Sequence, residues 1–241
     1  MNRERPLVSV IVAVKNSERY LAEALESVIR TGYAPIEIVV VDDRSADRTA
    51  AIATSFAPVR FIQQEGRGLA AAWNTGVDAA RGGLIAFIDS DDLWAADKLD
   101  LQVEYLAHHP DVQYGIAKMR FFLEEGCAVP PGFRAGLLGN ALVGRVPGTL
   151  VARRSLFDAL GGFDTRLTIA TDVDWFARAK DAGVPMAIIP EVLLHKRVHA
   201  ANLSANAQVN SRELLRLLKQ SIVRQRGAQP TPRQTEPRNV E

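Results

Sequence analysis

The chain has 241 residues, 47% hydrophobic and 24% charged, a composition that suits a globular α/β protein with a core large enough to need no staples. Its 29 Lys and Arg offset 28 Asp and Glu to a net charge of +1, which gives no basic field for a nucleic-acid partner. Cys127 is the only cysteine, so an intrachain disulfide and a cysteine-rich zinc site are excluded and an idle thiol is expected.

Residues 1–6 are polar, and the apolar run that follows is too short for a secretory signal or for a spanning helix of about 20 residues. The expected location is the cytoplasm, either free or peripheral on the inner face of the membrane. Residues 7–14 are β-branched and predict a strand, which a polar turn at Lys15-Asn16-Ser17 ends. Tyr20, Leu21, Ala24, Leu25, Val28 and Ile29 then recur at helical spacing as far as Gly32. After Pro35, residues 36–41 are apolar almost throughout, as in a parallel strand buried on both faces, and stop at Asp42-Asp43. A helix is expected over 45–57, with Ser45 or Asp47 as cap, and a strand over 59–63. A glycine loop at 66–68, a small-residue helix over 69–80 and a strand over 84–88 follow, the last ending at Asp89-Ser90-Asp91-Asp92. This alternation predicts an α/β fold, a doubly wound, Rossmann-like mixed sheet flanked by helices.

The second half is less regular. A helix is expected over 99–108, one or two strands within 112–122, and a Gly- and Pro-rich loop over 126–148 that could close over a site. A strand over 149–153, helices over 155–160 and 172–182, and a last strand over 186–189 complete the domain. An amphipathic helix over 211–224 precedes a polar, Pro-rich tail expected to be disordered. The organisation is then one domain over 1–205, divided into halves 1–98 and 99–205, a C-terminal helical segment 206–226 and a tail 227–241.

In open parallel sheets ligands bind beyond the carboxyl ends of the strands. A single Asp there needs no function, because Asp starts turns and caps helices. Tight clusters such as Asp42-Asp43 and Asp89 to Asp92 are different, since their charges repel unless a cation lies among them. An oxygen-rich set without His or Cys neighbours suits Mg²⁺ or Mn²⁺ rather than zinc, and such an ion draws further ligands from substrate phosphates. A diphosphate-bearing substrate is implied; a phosphatase or a nucleotidyltransferase would fit that chemistry as well.

Longer strings separate these. They are Val8-Ser9-Val10-Ile11-Val12-Ala13-Val14-Lys15-Asn16 with Leu21 and Ser27-Val28, then Glu37-Ile38-Val39-Val40-Val41-Asp42-Asp43-Arg44-Ser45-Ala46-Asp47. Gly68, Ala72, Asn74, Gly76, Ala80 and Gly82 follow, then Ile85-Ala86-Phe87-Ile88-Asp89-Ser90-Asp91-Asp92, Arg153-Arg154 and Gly161-Gly162-Phe163-Asp164. Together, over residues 7–205, the chain resembles the family 2 glycosyltransferases, whose fold is GT-A. The resemblance implies an inverting transfer of a sugar from a nucleotide-diphosphate sugar, UDP being the expected nucleotide, to a saccharide, lipid-linked or other small acceptor.

It also implies roles. Asp43 would meet the nucleobase edge, Ala13, Val14, Lys15 and Asn16 would line the same pocket, and Asp42, Asn74, Asp89, Ser90 and Asp91 would complete the donor site. Asp89, Asp91, Asp92 and His199 would hold Mn²⁺ or Mg²⁺, with Lys196, Arg197 and Arg67 as candidate phosphate partners. Relatives carry a Glu-Asp pair at the start of the helix after Gly-Gly-Phe-Asp; here it is Thr171-Asp172, so Asp172 inherits the role of catalytic base and Asp174 is the alternative. With one base and no carboxylate nucleophile recognised, a single displacement with inversion is implied. A phosphatase would place Asp-x-Asp after the first strand, where Lys15-Asn16 stands, and a nucleotidyltransferase a Gly-rich basic loop. A non-catalytic sugar-nucleotide binder is the other alternative, favoured by Thr171. Trp94 and Trp175 read as packing residues. The apolar face of the last helix would cover the domain or a second subunit, or lie on a membrane.

Overall fold

The computed structural model describes residues 4–65, 67–131, 133–199, 207–227 and 238–239. The first half follows the expected alternation: β1 Val8–Val14, α1 Leu21–Ile29, β2 Ile36–Asp42, α2 Thr49–Thr54, β3 Val59–Gln63, α3 Leu69–Ala79 and β4 Leu84–Phe87. The second half comprises β5 Leu93–Trp94, α4 Lys98–His108, β6 Tyr114–Leu123, β7 Ala141–Val143, β8 Val151–Arg153, α5 Arg154–Leu160, α6 Thr171–Asp181, β9 Met186–Val198, α7 Ala207–Gly227 and β10 Arg238–Asn239. One sheet runs through both halves in the order β10-β9-β6-β8-β4-β1-β2-β3. Strands β3, β2, β1 and β4 are parallel, and β8 enters antiparallel between β4 and β6.

Strand β1 shows why its run is apolar at every second position on both sides. Val8, Val10, Val12 and Val14 enter a core with Leu21, Ala24, Leu25 and Val28 of α1. Ile11 enters the opposite core with Trp73, Phe87, Phe163 and Trp175. Burial on both faces is the condition of a strand covered by helices above and below. Between them Ser9 is fully buried and its Oγ accepts the Gly82 N–H at 2.8 Å. A Cβ on Gly82 would lie 2.6 Å from the Leu7 carbonyl and 2.8 Å from the Ser9 nitrogen, so backbone must move to admit it. Gly82→Ala is therefore expected to cost about 1–3 kcal/mol, a fall of roughly 2–10 °C in melting temperature by calorimetry.

Three departures from the expected elements have local causes. Helix α2 begins at Thr49 rather than near Ser45, because the residues ahead of it bond elsewhere. Ser45 Oγ accepts the Asn16 N–H at 2.8 Å, and Asp47 accepts the N–H groups of Glu18 and Thr49. These side chains compete with the helix for the backbone. The long loop over 126–148 carries the 3₁₀ turns Ala135–Leu137 and Pro147–Thr149 and the short strand β7, which pairs with β6. Strand β9 extends far beyond residue 189. Its pairing with β6 slips where Ile189 faces Ala117 and Val192 faces Lys118, so Pro190 sits in an irregularity of the ladder. Proline is tolerated there without ending the strand.

Helix α7 docks on α6. Glu213 accepts the N–H groups of Thr168, Ile169 and Ala170, and Asp181 accepts bonds from Ser221, Arg224 and Gln225. Leu217 is buried against Leu167 and Ala170, with Leu214 beside it. Leu215, Leu218, Ile222 and Val223 stay exposed, so the apolar residues expected on one face divide between two. In the tail, Arg238–Asn239 pairs with β9 instead of being unstructured; the rest of that expectation falls outside the described residues. Among the described residues no helix is long and apolar enough to cross a membrane.

Candidate active site

The carboxyl ends of β1, β2 and β4 lie side by side, because β1 pairs in parallel with both neighbours. The loops leaving them are tied together. Asp43 N–H donates to the Val14 carbonyl at 2.9 Å, Ala46 N–H to Asn16 Oδ1 at 2.9 Å, and the hydroxyls of Ser17 and Ser90 meet at 2.9 Å. Ala13, Val14, Lys15, Asn16 and Ser90 thus border one another. Val14 is buried, and it presents backbone rather than side chain there.

The two aspartates after β2 do different work. Asp42 is fully buried and accepts both the N–H and the hydroxyl of Ser45, so it holds its own turn; the donor contact expected of it is not available. Asp43 accepts from Gln64 Nε2 at 2.6 Å, from the Arg67 N–H at 2.8 Å and from the Gly68 N–H, with Lys15 Nζ 3.6 Å from Oδ2. Burial pushes its pKa up, but these bonds from Gln64, Gly68 and Arg67 outweigh that and hold it below the usual carboxylate range. Asp43 therefore stays ionised and fixes the entry to α3.

Asp89, Asp91 and Asp92 converge after β4, their nearest ligating oxygens all within 4.8 Å of one another. Strand β5 supplies the reason they meet β9. Leu93 faces His195 and Trp94 faces Leu194, and one further step of that register brings Asp92 to Lys196. Lys196 Nζ lies 2.8 Å from Asp92 Oδ2 and 2.9 Å from Asp89 Oδ2. Burial pulls the Lys196 pKa down, yet the charges of Asp89, Asp92 and Asp91 outweigh it and raise it well above the ordinary lysine value. The group is an ammonium.

Asp92 is fully buried, its Oδ1 accepting the Arg197 N–H at 2.9 Å and its Oδ2 the Lys196 ammonium. Both oxygens accept bonds from the protein, and one of them still belongs to the group of three carboxylate oxygens that could hold a metal ion. Asp91 Oδ2 instead stands 2.9 Å from His199 Nε2, whose ring packs 5.0 Å from that of Tyr20. Carboxylates of Asp91 and Asp89 beside an imidazole fit a hard divalent cation that completes its shell with water and phosphate oxygens. Arg197 does not face that space: its guanidinium pairs with Glu23 and Glu124 and lies over the Tyr20 and Phe122 rings. Lys196, spent on Asp89 and Asp92, is likewise no phosphate partner in this arrangement.

Asp172 occupies the first turn of α6, its Oδ1 accepting the Val173 N–H at 2.8 Å. Burial, against the Val173 bond and together with the nearby charge of Asp89, raises its pKa to about 6. Asp89 and Lys196 both act on it electrostatically, which places it at the same site as the acidic cluster. Asp174 is buried with Oδ2 on Arg178 Nε at 2.7 Å, so it braces the helix and is removed as an alternative base. Thr171 is fully buried.

Asn74, expected on the donor side, has another role. Its amide donates to the Phe163 carbonyl and accepts the Phe163 N–H, both at 2.8 Å. It lies so close to Gly162 that a Cβ there would come within 2.4 Å of Asn74 Oδ1. Arg178 adds bonds to the Leu160 and Gly162 carbonyls. Asn74 and Arg178 thus clamp the segment that leads into α6 and aims Asp172. Asn74→Ala is expected to cost about 1–3 kcal/mol, seen as a lower melting temperature. Trp175 is fully buried and stacked on Phe157, and Trp94 donates Nε1 to the Gly148 carbonyl, as packing residues should.

What sequence reasoning missed is the pair of strands that carries the counter-charge. Strand β5 has only two residues, below the length at which alternation is readable. The β9 extension was hidden by Pro190, although Val192-Leu193-Leu194 beyond it is a strand-like run.

A mannosyltransferase from Pyrobaculum calidifontis, solved with GDP-Man and Mn²⁺, superposes with a TM-score of 0.71 at 26% identity, covering 95% of this chain and 66% of that one. Staphylococcus aureus TarS, solved with UDP-GlcNAc, gives a TM-score of 0.74 at 23% identity over 90% of this chain and 66% of that one. An uncharacterized glycosyltransferase of Rickettsia typhi is 28% identical over 263 aligned positions, 94% of this chain and 77% of its own length. Two other curated relatives match at 47% and 43% identity over 93 and 91 residues, which are 37% and 36% of this chain and 27% and 26% of their own length. The fold is the GT-A fold of nucleotide-sugar transferases. Residues 9–158 match the family described as glycosyl transferase family 2, and with the strand-end acidic cluster in its place the chain belongs to that family as a glycosyltransferase.

Proposed function

We propose that the chain transfers a sugar from a nucleotide-diphosphate sugar to an acceptor hydroxyl with inversion, with Mn²⁺ or Mg²⁺ as cofactor. The observation that carries the reading is the convergence of Asp172 with the Asp89–Asp91 cluster. A base of raised pKa and a cation-seeking carboxylate group share one site, as a displacement at a sugar carbon between diphosphate and acceptor requires. The structures solved with UDP-GlcNAc and with GDP-Man and Mn²⁺ support a nucleotide-sugar donor and a divalent metal. UDP is the proposed nucleotide.

Asp43 and the Ala13 to Asn16 backbone would bind the nucleoside end. Asp91, His199 and Asp89 would hold the metal, which when bound neutralises the diphosphate. Asp172 accepts the proton of the acceptor hydroxyl as its oxygen bonds to the anomeric carbon. The bond from that carbon to the diphosphate oxygen breaks, and its electron pair leaves with the nucleoside diphosphate. Residues 1–98 are the proposed donor half and 99–205 the acceptor half, and a saccharide or lipid-linked alcohol suits the acceptor role.

Inversion is tested by following donor hydrolysis with proton NMR, water serving as acceptor. An α-linked donor should release the β sugar before mutarotation; first release of the α sugar contradicts the proposal.

A further inference from the structure

We propose that Lys196 is a built-in counter-cation that occupies one side of the acidic cluster and confines the divalent metal to the Asp91–His199 edge. The inference rests on the metal-dependent reading above and goes beyond it, because it names which carboxylates the ion does not own. The geometry is specific. Lys196 Nζ is within 2.9 Å of Oδ2 of both Asp89 and Asp92. The other oxygen of Asp92 is held by the Arg197 N–H. An ion drawing on all three carboxylates would have to displace a buried ammonium and break a backbone bond. An ion at Asp91 and His199, with the remaining oxygen of Asp89, would take the place of the bond between Asp91 Oδ2 and His199 Nε2 and leave the ammonium and the backbone bond where they are.

Lys196 offsets one carboxylate charge of the cluster, and a divalent cation would offset the rest. The ammonium also keeps the buried Asp92 charge paired before any metal or donor arrives, so the loop after β4 does not depend on metal to stay formed. Breaking such a pair leaves an uncompensated buried charge, which is strongly destabilising, whereas removing both partners need not be. Lys196 is thus a positioning residue that acts through Asp89 and Asp92, and the register of β5 against β9 is what delivers it.

The test uses the full chain, Mn²⁺ as probe, and melting curves with and without the ion, none of which requires turnover. Lys196→Met should melt roughly 10 °C below wild type without metal. It should also bind Mn²⁺ at least ~10-fold more tightly, because the carboxylates then have no resident cation. The double variant Lys196→Met with Asp92→Asn removes the buried carboxylate together with its partner, and both its melting temperature and its Mn²⁺ affinity should return toward wild type. If Lys196→Met does not fold without the ion, recovery of folding in the double variant supports the proposal. A double variant as unstable as the single one overturns it. So does a Lys196→Met protein that melts and binds Mn²⁺ as wild type does. Failure of the metal reading looks different: wild type would bind no Mn²⁺, or bind it equally after His199→Ala, while the stability comparison still reports on Lys196.

Discussion

Asp172→Asn is expected to lower transfer roughly 10²–10⁴-fold, the usual contribution of a positioned general base, while donor affinity stays near that of wild type. Asn keeps the size of the side chain and an oxygen for the Val173 N–H bond, so the first turn of α6 is not disturbed. What it loses is the ability to take a proton. The burial that raises the Asp172 pKa to about 6 also sets the sign of the pH dependence. The base works only when ionised, so wild-type turnover falls as pH drops below about 6. Rates of nucleoside diphosphate release across pH, with calorimetric titration of the donor, check both parts. Retained turnover in the variant would move the base elsewhere, and Asp174 is a poor recipient because Arg178 holds it.

Removal of divalent metal by a chelator is expected to reduce transfer on the order of 10³-fold, equal to the several kcal/mol a bound cation contributes at a departing phosphate. Added Mn²⁺ or Mg²⁺ should restore it. Net charge on the site gives the reason. The cluster stays negative after Lys196 is counted, and a diphosphate brings more negative charge. Without a cation that approach is repulsive. Undiminished transfer in chelator would mean that Lys196 alone offsets the carboxylates.

The first half of this protein is legible from its sequence because its strands are long, apolar and closed by charge. Residues 8–12 and 38–42 are buried on both faces, as a continuous β-branched run in a covered strand should be. The point where Asp89 follows Ile88 is sharp for the same reason. The second half is harder to read. Its strands are short, as in β5 and β7, or interrupted, as at Pro190 in β9. Strand β5 pairs with β9 across about 100 positions, Leu93 facing His195, which local periodicity cannot register.

Residue roles divide along the same line. Position at the strand ends, together with family resemblance, pointed to Asp43 and Asp91, and resemblance alone to Asp172. Neither could distinguish Asp42, Asp92 and Asn74, whose oxygens accept bonds from Ser45, from Lys196 and Arg197, and from Phe163. A buried carboxylate and a reactive one look alike until their partners are known. Lys196, a candidate phosphate partner by sequence, pairs with Asp89 and Asp92 of the protein itself.

The most direct measurement is thermal stability across a panel of nucleotide sugars and their nucleoside diphosphates, with and without Mn²⁺. The account predicts that at least one nucleotide sugar raises the melting temperature when Mn²⁺ is present, that the matching diphosphate does the same, and that Asp91→Asn abolishes both effects. No stabilisation by any nucleotide sugar or diphosphate in the presence of metal would contradict it.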